Sequence, residues 1–89
     1  MQTQNSTIHD NEIADIAQAV ASVLWSSKRT TNKRDAQSLM DFAFELREDG
    51  FAYIRRNRDL TREQVNQIRD AQEDARIAWH NARSVVHSA

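Results

Sequence analysis

Apolar residues recur every three or four positions along most of this chain, which is the spacing of amphipathic helices. Residues 8–27 carry one narrow apolar stripe, residues 33–57 a wider apolar arc of about 200°, and residues 61–87 an alanine-rich stripe. No run of residues alternates with a period of two, as a half-buried strand would. The pattern therefore predicts an all-α fold.

The second and third helical segments are separated by a well-marked turn. Residues 57–60 are polar and break the period, and Thr61 and Gln64 then have the spacing of a capping box. Because the two segments match in length and the turn is short, we expect a long antiparallel helical hairpin over about 33–57 and 61–87. With a preceding helix over about 8–27, the chain forms either a three-helix bundle or a helical dimer. We expect a disordered tail over residues 1–7 and a single helical domain over residues 8–89.

Gly50 allows two interpretations of the second segment. A glycine often ends a helix at the position after the C-cap. Against this, Tyr53 and Ile54 fall back on the same apolar arc when the helical wheel is continued past Gly50. We therefore favour one uninterrupted helix, in which Gly50 lets a neighbouring helix come close.

Composition narrows the class of protein. The 89 residues include no cysteine, no proline and one glycine, and the net charge is −1. Without cysteine the chain has neither disulfides nor a thiolate zinc site, which fits a reducing compartment. The N-terminus lacks the basic head and apolar run of a signal peptide, and no apolar stretch approaches the ~18 residues of a membrane span. We expect a cytoplasmic protein.

Side chains with catalytic or metal-binding chemistry are few and poorly spaced. His80 and His87 lie seven residues apart, whereas chelating pairs on a helix are three or four apart, so we interpret these two and His9 as surface histidines. There is no nucleophilic cysteine and no glycine-rich phosphate loop, and the carboxylate pairs have the spacing of a solvated helix face. We predict no catalytic residues, no metal site, no cofactor and no enzymatic activity.

Two basic clusters flank the second segment, although the chain as a whole is slightly acidic. They lie at residues 28–34 and 55–62, and their candidate contact residues are Lys28, Arg29, Lys33 and Arg34 near the start of the segment and Arg55, Arg56 and Arg58 near its end. A helix of ~25 residues separates the clusters by roughly 35 Å, so they form one surface only if a dimer brings them together. They are candidates for contact with nucleic acid or with an acidic partner.

Several large apolar side chains lie at the margins of their stripes or outside them. The candidates for a partner interface are Trp25, Phe44, Tyr53 and Ile77. Two hypotheses follow. The first is a non-enzymatic protein-binding module, acting as an adaptor, inhibitor or regulator by stoichiometric contact and forming a homodimer. The alternative is a transcriptional regulator that binds nucleic acid through the basic clusters.

Overall fold

Three helices account for most of the chain. A computed structural model describes residues 2–88, with side chains from residue 7 onward. It contains α1 (Gln2–Ser27), α2 (Lys33–Arg56) and α3 (Arg62–Val86), arranged as an elongated bundle of 55 × 18 × 16 Å. No strand occurs within residues 2–88. The all-α fold and the long helical hairpin are confirmed.

Side chains at the helix ends explain where α2 and α3 begin. The Asn32 side chain accepts hydrogen bonds from the backbone N–H groups of Arg34 and Asp35, which caps α2. Thr61 Oγ1 accepts from the backbone N–H of Gln64, and the Gln64 side-chain oxygen accepts from the backbone N–H of Thr61. The predicted capping box is therefore present, and it fixes the start of α3.

The first helix begins earlier than its apolar stripe does. It starts at Gln2, not near Ile8, and so runs through most of the segment for which the sequence predicts a disordered tail; Met1 lies outside the described residues. No glycine or proline precedes the stripe, so nothing in the local sequence breaks the helix there. Asp10, in the middle of this helix, accepts a hydrogen bond from the Gln64 amide of α3 at 2.9 Å.

α3 is the central helix of the bundle. It packs extensively against both other helices, whereas α1 and α2 approach each other less. The sequence predicts α2 as the central helix, because its wide apolar arc is typical of a helix with neighbours on two sides. Alanine explains the difference: Ala71, Ala75, Ala78 and Ala82 of α3 are all buried, and their small side chains let both neighbours come close. Part of the α2 arc is left facing solvent.

The core divides into two clusters along the long axis. The larger joins all three helices through Val20, Val23, Ala43, Leu46, Ala71, Ala75 and Ala78. Leu39 and Trp79 pack against it, in agreement with the predicted pairing of α2 with α3. The smaller lies near the α2–α3 turn and contains Ile13, Tyr53 and Ile68.

Gly50 lies inside α2, as the uninterrupted helix predicts, and faces the side chain of Gln72. A Cβ at Gly50 would stand 3.0 Å from Gln72 Cγ and 3.1 Å from its Nε2. The Gln72 amide donates to the backbone carbonyl of Arg47 at 3.0 Å. The missing side chain of Gly50 therefore makes room for a buried glutamine that links α3 to the backbone of α2.

Candidate functional site

A buried histidine lies where α1 meets the turn between α2 and α3. His9 is 8% exposed. Its Nδ1 is 2.6 Å from the Tyr53 hydroxyl, and its Nε2 is 3.1 Å from both carboxylate oxygens of Asp59. The imidazole and the phenol ring meet edge to face, with centroids 5.7 Å apart. This His9–Tyr53–Asp59 network joins one residue from α1, one from α2 and one from the turn.

The hydrogen-bond partners of His9 decide the tautomer of its neutral ring. The Asp59 carboxylate is an acceptor, so His9 donates to it through Nε2–H. In the neutral imidazole Nδ1 then accepts a hydrogen bond from the Tyr53 hydroxyl. The hydrogen bond from His9 holds the pKa of Asp59 below its usual range. Burial, followed by the hydrogen bond and charge of Glu12, raises the pKa of Tyr53 to about 12.

Both ring nitrogens of His9 are occupied by protein partners, so neither is free to bind a metal or a substrate in this arrangement. The network holds the bundle together at its turn end. The interpretation of His9 as a surface residue is wrong. Its position contained the signal, because His9 precedes Ile13 by four residues and Ile16 by seven and therefore lies on the same apolar stripe.

The other two histidines are exposed, as predicted. His80 stacks edge to face on Trp79 with centroids 5.1 Å apart, and His87 lies at the C-terminal end of α3. Among residues 2–88, no three histidine, aspartate or glutamate side chains are placed to hold a metal ion.

The predicted interface residues do not form one surface. The prediction of Tyr53 as an interface residue is wrong, because its side chain is 8% exposed and belongs to the His9–Tyr53–Asp59 network. Trp25 is 61% exposed and lines a depression with Leu39 and Phe42 near the α1–α2 connection, where the Arg29 guanidinium lies 4.2 Å from its ring centroid. Ile77 is only 37% exposed, on the outer side of α3.

Phe44 lies on a different flank, along the groove between α2 and α3. It is 55% exposed and lines a depression with Trp79, Arg47 and Arg76, floored by Ala43 and Ala75. Phe51, one heptad further along α2, carries the Arg47 guanidinium 5.4 Å from its ring centroid. On α3, the Arg83 guanidinium lies 5.5 Å from the Trp79 centroid. We call this surface the aromatic–arginine groove; its members are Phe44, Arg47, Phe51, Arg76, Trp79 and Arg83. Sequence analysis identified Phe44 but missed the arginines beside it.

The basic clusters lie at opposite ends of the bundle. One surrounds the α1–α2 connection at residues 28–34, and the other surrounds the α2–α3 turn at residues 55–58. All seven side chains are exposed, and α2 separates the two groups along the 55 Å axis. Within one chain they therefore do not make a continuous basic surface.

An acidic groove runs between α1 and α3, on the other side of the central helix from the aromatic–arginine groove. Its acidic lining is Asp10, Glu63, Asp70 and Asp74, with small residues such as Ala14 and Ala17 between them. The Gln64–Asp10 hydrogen bond crosses it. The charge on this 89-residue chain is thus segregated by flank.

Among residues 2–88, no helical stretch combines the length and the hydrophobicity of a transmembrane span.

The features that distinguish this chain are the buried His9–Tyr53–Asp59 network and the aromatic–arginine groove, which lies on the opposite flank of α3 from the acidic groove. Comparisons with protein-family models, with curated proteins and with solved structures found no match.

Proposed function

We propose that this chain is a non-enzymatic protein-binding module that acts by stoichiometric contact, as an adaptor, inhibitor or regulator. The observation that carries the proposal is the aromatic–arginine groove. Aromatic and arginine side chains are the residues most enriched at the energetic centres of protein interfaces. Here Phe44, Phe51 and Trp79 stand beside three arginines on one flank of the α2–α3 hairpin.

A second observation supports the same proposal. Six large apolar side chains are at least 37% exposed, namely Ile8, Trp25, Phe42, Phe44, Phe51 and Ile77. Single exposed apolar residues are ordinary on any protein surface, but here Trp25 and Phe42 share one depression, and Phe44 and Phe51 belong to the aromatic–arginine groove. Trp25 and Phe42, which share the depression near the α1–α2 connection, are the secondary candidates for contact.

Site-specific photo-crosslinking tests the proposal. A photo-reactive phenylalanine analogue placed at Phe44 is expected to give one dominant adduct of defined mass with a protein of the source cell. The same analogue at Asn11, an exposed polar position of α1 fourteen residues before Trp25, provides the background. If Phe44, Phe42 and Trp25 all give no adduct above that background, the module proposal fails.

The oligomeric state belongs to the same test. The homodimer predicted from the sequence would give an adduct of twice the chain mass and a concentration-dependent mass in sedimentation equilibrium. A heterologous partner would leave the purified chain monomeric. The proposal also includes the cytoplasmic location expected from composition; fractionation of cells that express a tagged chain checks it, and recovery in the secreted fraction would contradict it.

A further inference from the structure

We infer that the aromatic–arginine groove binds an acidic amphipathic helix of a partner protein, which lies along the groove as a fourth helix of the bundle. The inference rests on the proposed function and specifies the chemistry of its partner. Three observations carry it: the repeat spacing of the two groove walls, their charge, and the shape of the groove floor.

The two walls repeat with the period of a helical partner. Phe44 and Phe51 on α2 are seven residues apart, and so are Arg69, Arg76 and Arg83 on α3. Seven residues correspond to two helical turns, or about 10.5 Å. Phe44 and Arg76 line the same depression and therefore stand at the same level of the groove. Since α2 and α3 are antiparallel, Phe51, seven residues after Phe44, stands level with Arg69, seven residues before Arg76. A helix laid along the groove therefore meets an aromatic residue opposite an arginine at two levels, one heptad apart.

The charge of the walls selects an acidic partner. The basic residues are the three arginines of the groove, Arg47, Arg76 and Arg83, together with the exposed Arg69, which lies one heptad before Arg76 on α3. The carboxylate among them is Glu73, which pairs with Arg76 at 2.5 Å and whose pKa that arginine lowers. Glu48 lies on the solvent side of the α2 wall. Four arginines against these two carboxylates leave the groove basic on a chain whose net charge is −1. A second copy of the same surface would bring eight arginines together, so complementarity favours a different, acidic protein over a homodimer.

The floor of the groove suits the apolar face of such a helix. Ala43 and Ala75 form the base of the depression, and Phe44 and Trp79 its rim. Small residues at the base and aromatic residues at the rim leave a hole that an apolar side chain can fill, as a knob does between packed helices. A partner with leucine-like residues facing α2 and carboxylates facing α3 would satisfy both walls, in the helix-in-groove mode of recognition.

Binding of a synthetic peptide to the full chain tests the inference. The probe is a fluorescent peptide of four heptads, about 28 residues, with leucine at the two core positions and glutamate on both flanks. Its twin carries lysine in place of the flanking glutamates. Fluorescence anisotropy is expected to show saturable one-to-one binding of the acidic peptide and none of the basic twin. Absence of binding by the acidic peptide, or equal binding of the twin, overturns the inference.

Two pairs of matched variants locate the contact. Charge reversal at Arg69, Arg76 and Arg83 to glutamate should weaken binding at least about tenfold, because like charges then face each other. Reversal at the equally exposed Arg55, Arg56 and Arg58 changes the net charge by the same amount and should leave binding within about twofold. Phe44→Ala is paired in the same way with Phe42→Ala, since the two residues are 55% and 47% exposed on different flanks of α2. Equal losses within either pair would contradict the groove as the binding surface.

The remaining occupants are separate outcomes. If a single-stranded oligonucleotide displaces the acidic peptide and binds more tightly, the groove is a nucleic-acid surface and the inference is wrong. If the purified chain self-associates and Phe44→Ala abolishes this, the occupant is a second copy and the inference is also wrong. If the peptide does not bind while crosslinking captures a partner at Trp25 or Phe42, the module proposal stands and this inference alone falls.

Discussion

At the scale of single residues, Tyr53 is the group whose chemistry is most altered by folding. It is the only tyrosine in the chain, and its pKa rises to about 12 in the folded protein against 10.0 for an ordinary tyrosine. Between these two values the unfolded chain has lost the phenol proton and the folded chain has kept it. The unfolded state then binds fewer protons, so the free energy of unfolding falls as the pH rises.

We therefore expect the chain to lose stability between about pH 10 and pH 12. One pKa unit corresponds to about 1.4 kcal/mol, so the loss should be at most about 2–3 kcal/mol. Denaturant titrations across this range measure it, and ultraviolet absorbance follows the single phenolate directly. Tyr53→Phe provides the control, because it keeps the ring but lacks the titrating proton. Equal alkaline losses in the two proteins would show that Tyr53 is not responsible.

The pair of Gly50 and Gln72 gives a second residue-scale prediction. Alanine at position 50 gains about 1 kcal/mol of helix propensity over glycine. In the natural background, however, its Cβ would meet Gln72 Cγ at 3.0 Å, and Gln72 would have to give up its hydrogen bond to Arg47 or shift. We expect Gly50→Ala to be neutral or destabilising in the natural chain but stabilising by about 1 kcal/mol when Gln72→Ala is already present. A double-mutant cycle measured by urea unfolding tests this, and additive effects would contradict it.

His9 shows where residue-scale prediction from sequence fails and why. The spacing of the histidines bears only on a metal ion shared between them. The burial of His9 follows from a different feature, because His9 continues the apolar stripe of α1. The sequence could not place Asp59, fifty residues away, beside it, because that contact depends on how α1 lies across the turn. Tyr53 was identified as unusual for the wrong reason, since an aromatic residue at the margin of a stripe can be a buried hydrogen-bonding partner as well as an exposed one.

At the scale of helices, local signals predicted boundaries well wherever a polar side chain caps the backbone. Asn32 and the Thr61–Gln64 capping box begin α2 and α3 at the expected residues. The start of α1 was predicted six residues too late, because a stripe of core residues marks only the packed part of a helix and not its full length. The prediction that α2 is the central helix is also wrong, because α3 occupies that place. A wide apolar arc can include apolar side chains that face solvent, so it does not show that a helix has neighbours on two sides.

Gln64 links two elements and gives the prediction at this scale. Its oxygen accepts from the backbone of Thr61, and its amide donates to Asp10 of α1. Gln64→Ala removes one half of the capping box and the bridge to α1, and it leaves Asp10 without this donor. We expect a loss of about 1–2 kcal/mol in the free energy of unfolding. Gln67 is an exposed glutamine one turn further along α3, and it lines the same acidic groove as Gln64. Its replacement in Gln67→Ala should lower the free energy of unfolding by less than about 0.5 kcal/mol. Equal losses would mean that neither contact of Gln64 matters.

At the scale of the whole molecule, the two flanks of α3 differ in how far they are covered by the neighbouring helix. The α1 flank closes the bundle, through the His9–Tyr53–Asp59 network at the turn end and through the Asn81–Ser27 hydrogen bond of 3.3 Å at the other. The α2 flank is closed along its floor and open at its aromatic rim. A partner can therefore occupy the aromatic–arginine groove without displacing any helix, which is what the proposed function requires. The buried alanines of α3 allow this arrangement, because their small side chains are covered by α1 and α2 without using the whole apolar arc of α2.

This division predicts how the chain responds to the loss of α1. Val20 and Val23 of α1 belong to the larger core cluster, and Ile13 belongs to the smaller one, so a hairpin of residues 31–89 alone lacks one wall of both. A chain this small has little stability to spare. We expect the hairpin fragment to lose cooperative thermal unfolding by circular dichroism and to recover it when a peptide of residues 1–27 is added. The same peptide with His9→Ala should restore it only at higher concentration, because the network at the turn end is then missing. A hairpin fragment that unfolds cooperatively at the temperature of the full chain would show that α1 is an attachment and not part of the core, and the two-flank account of the bundle would be wrong.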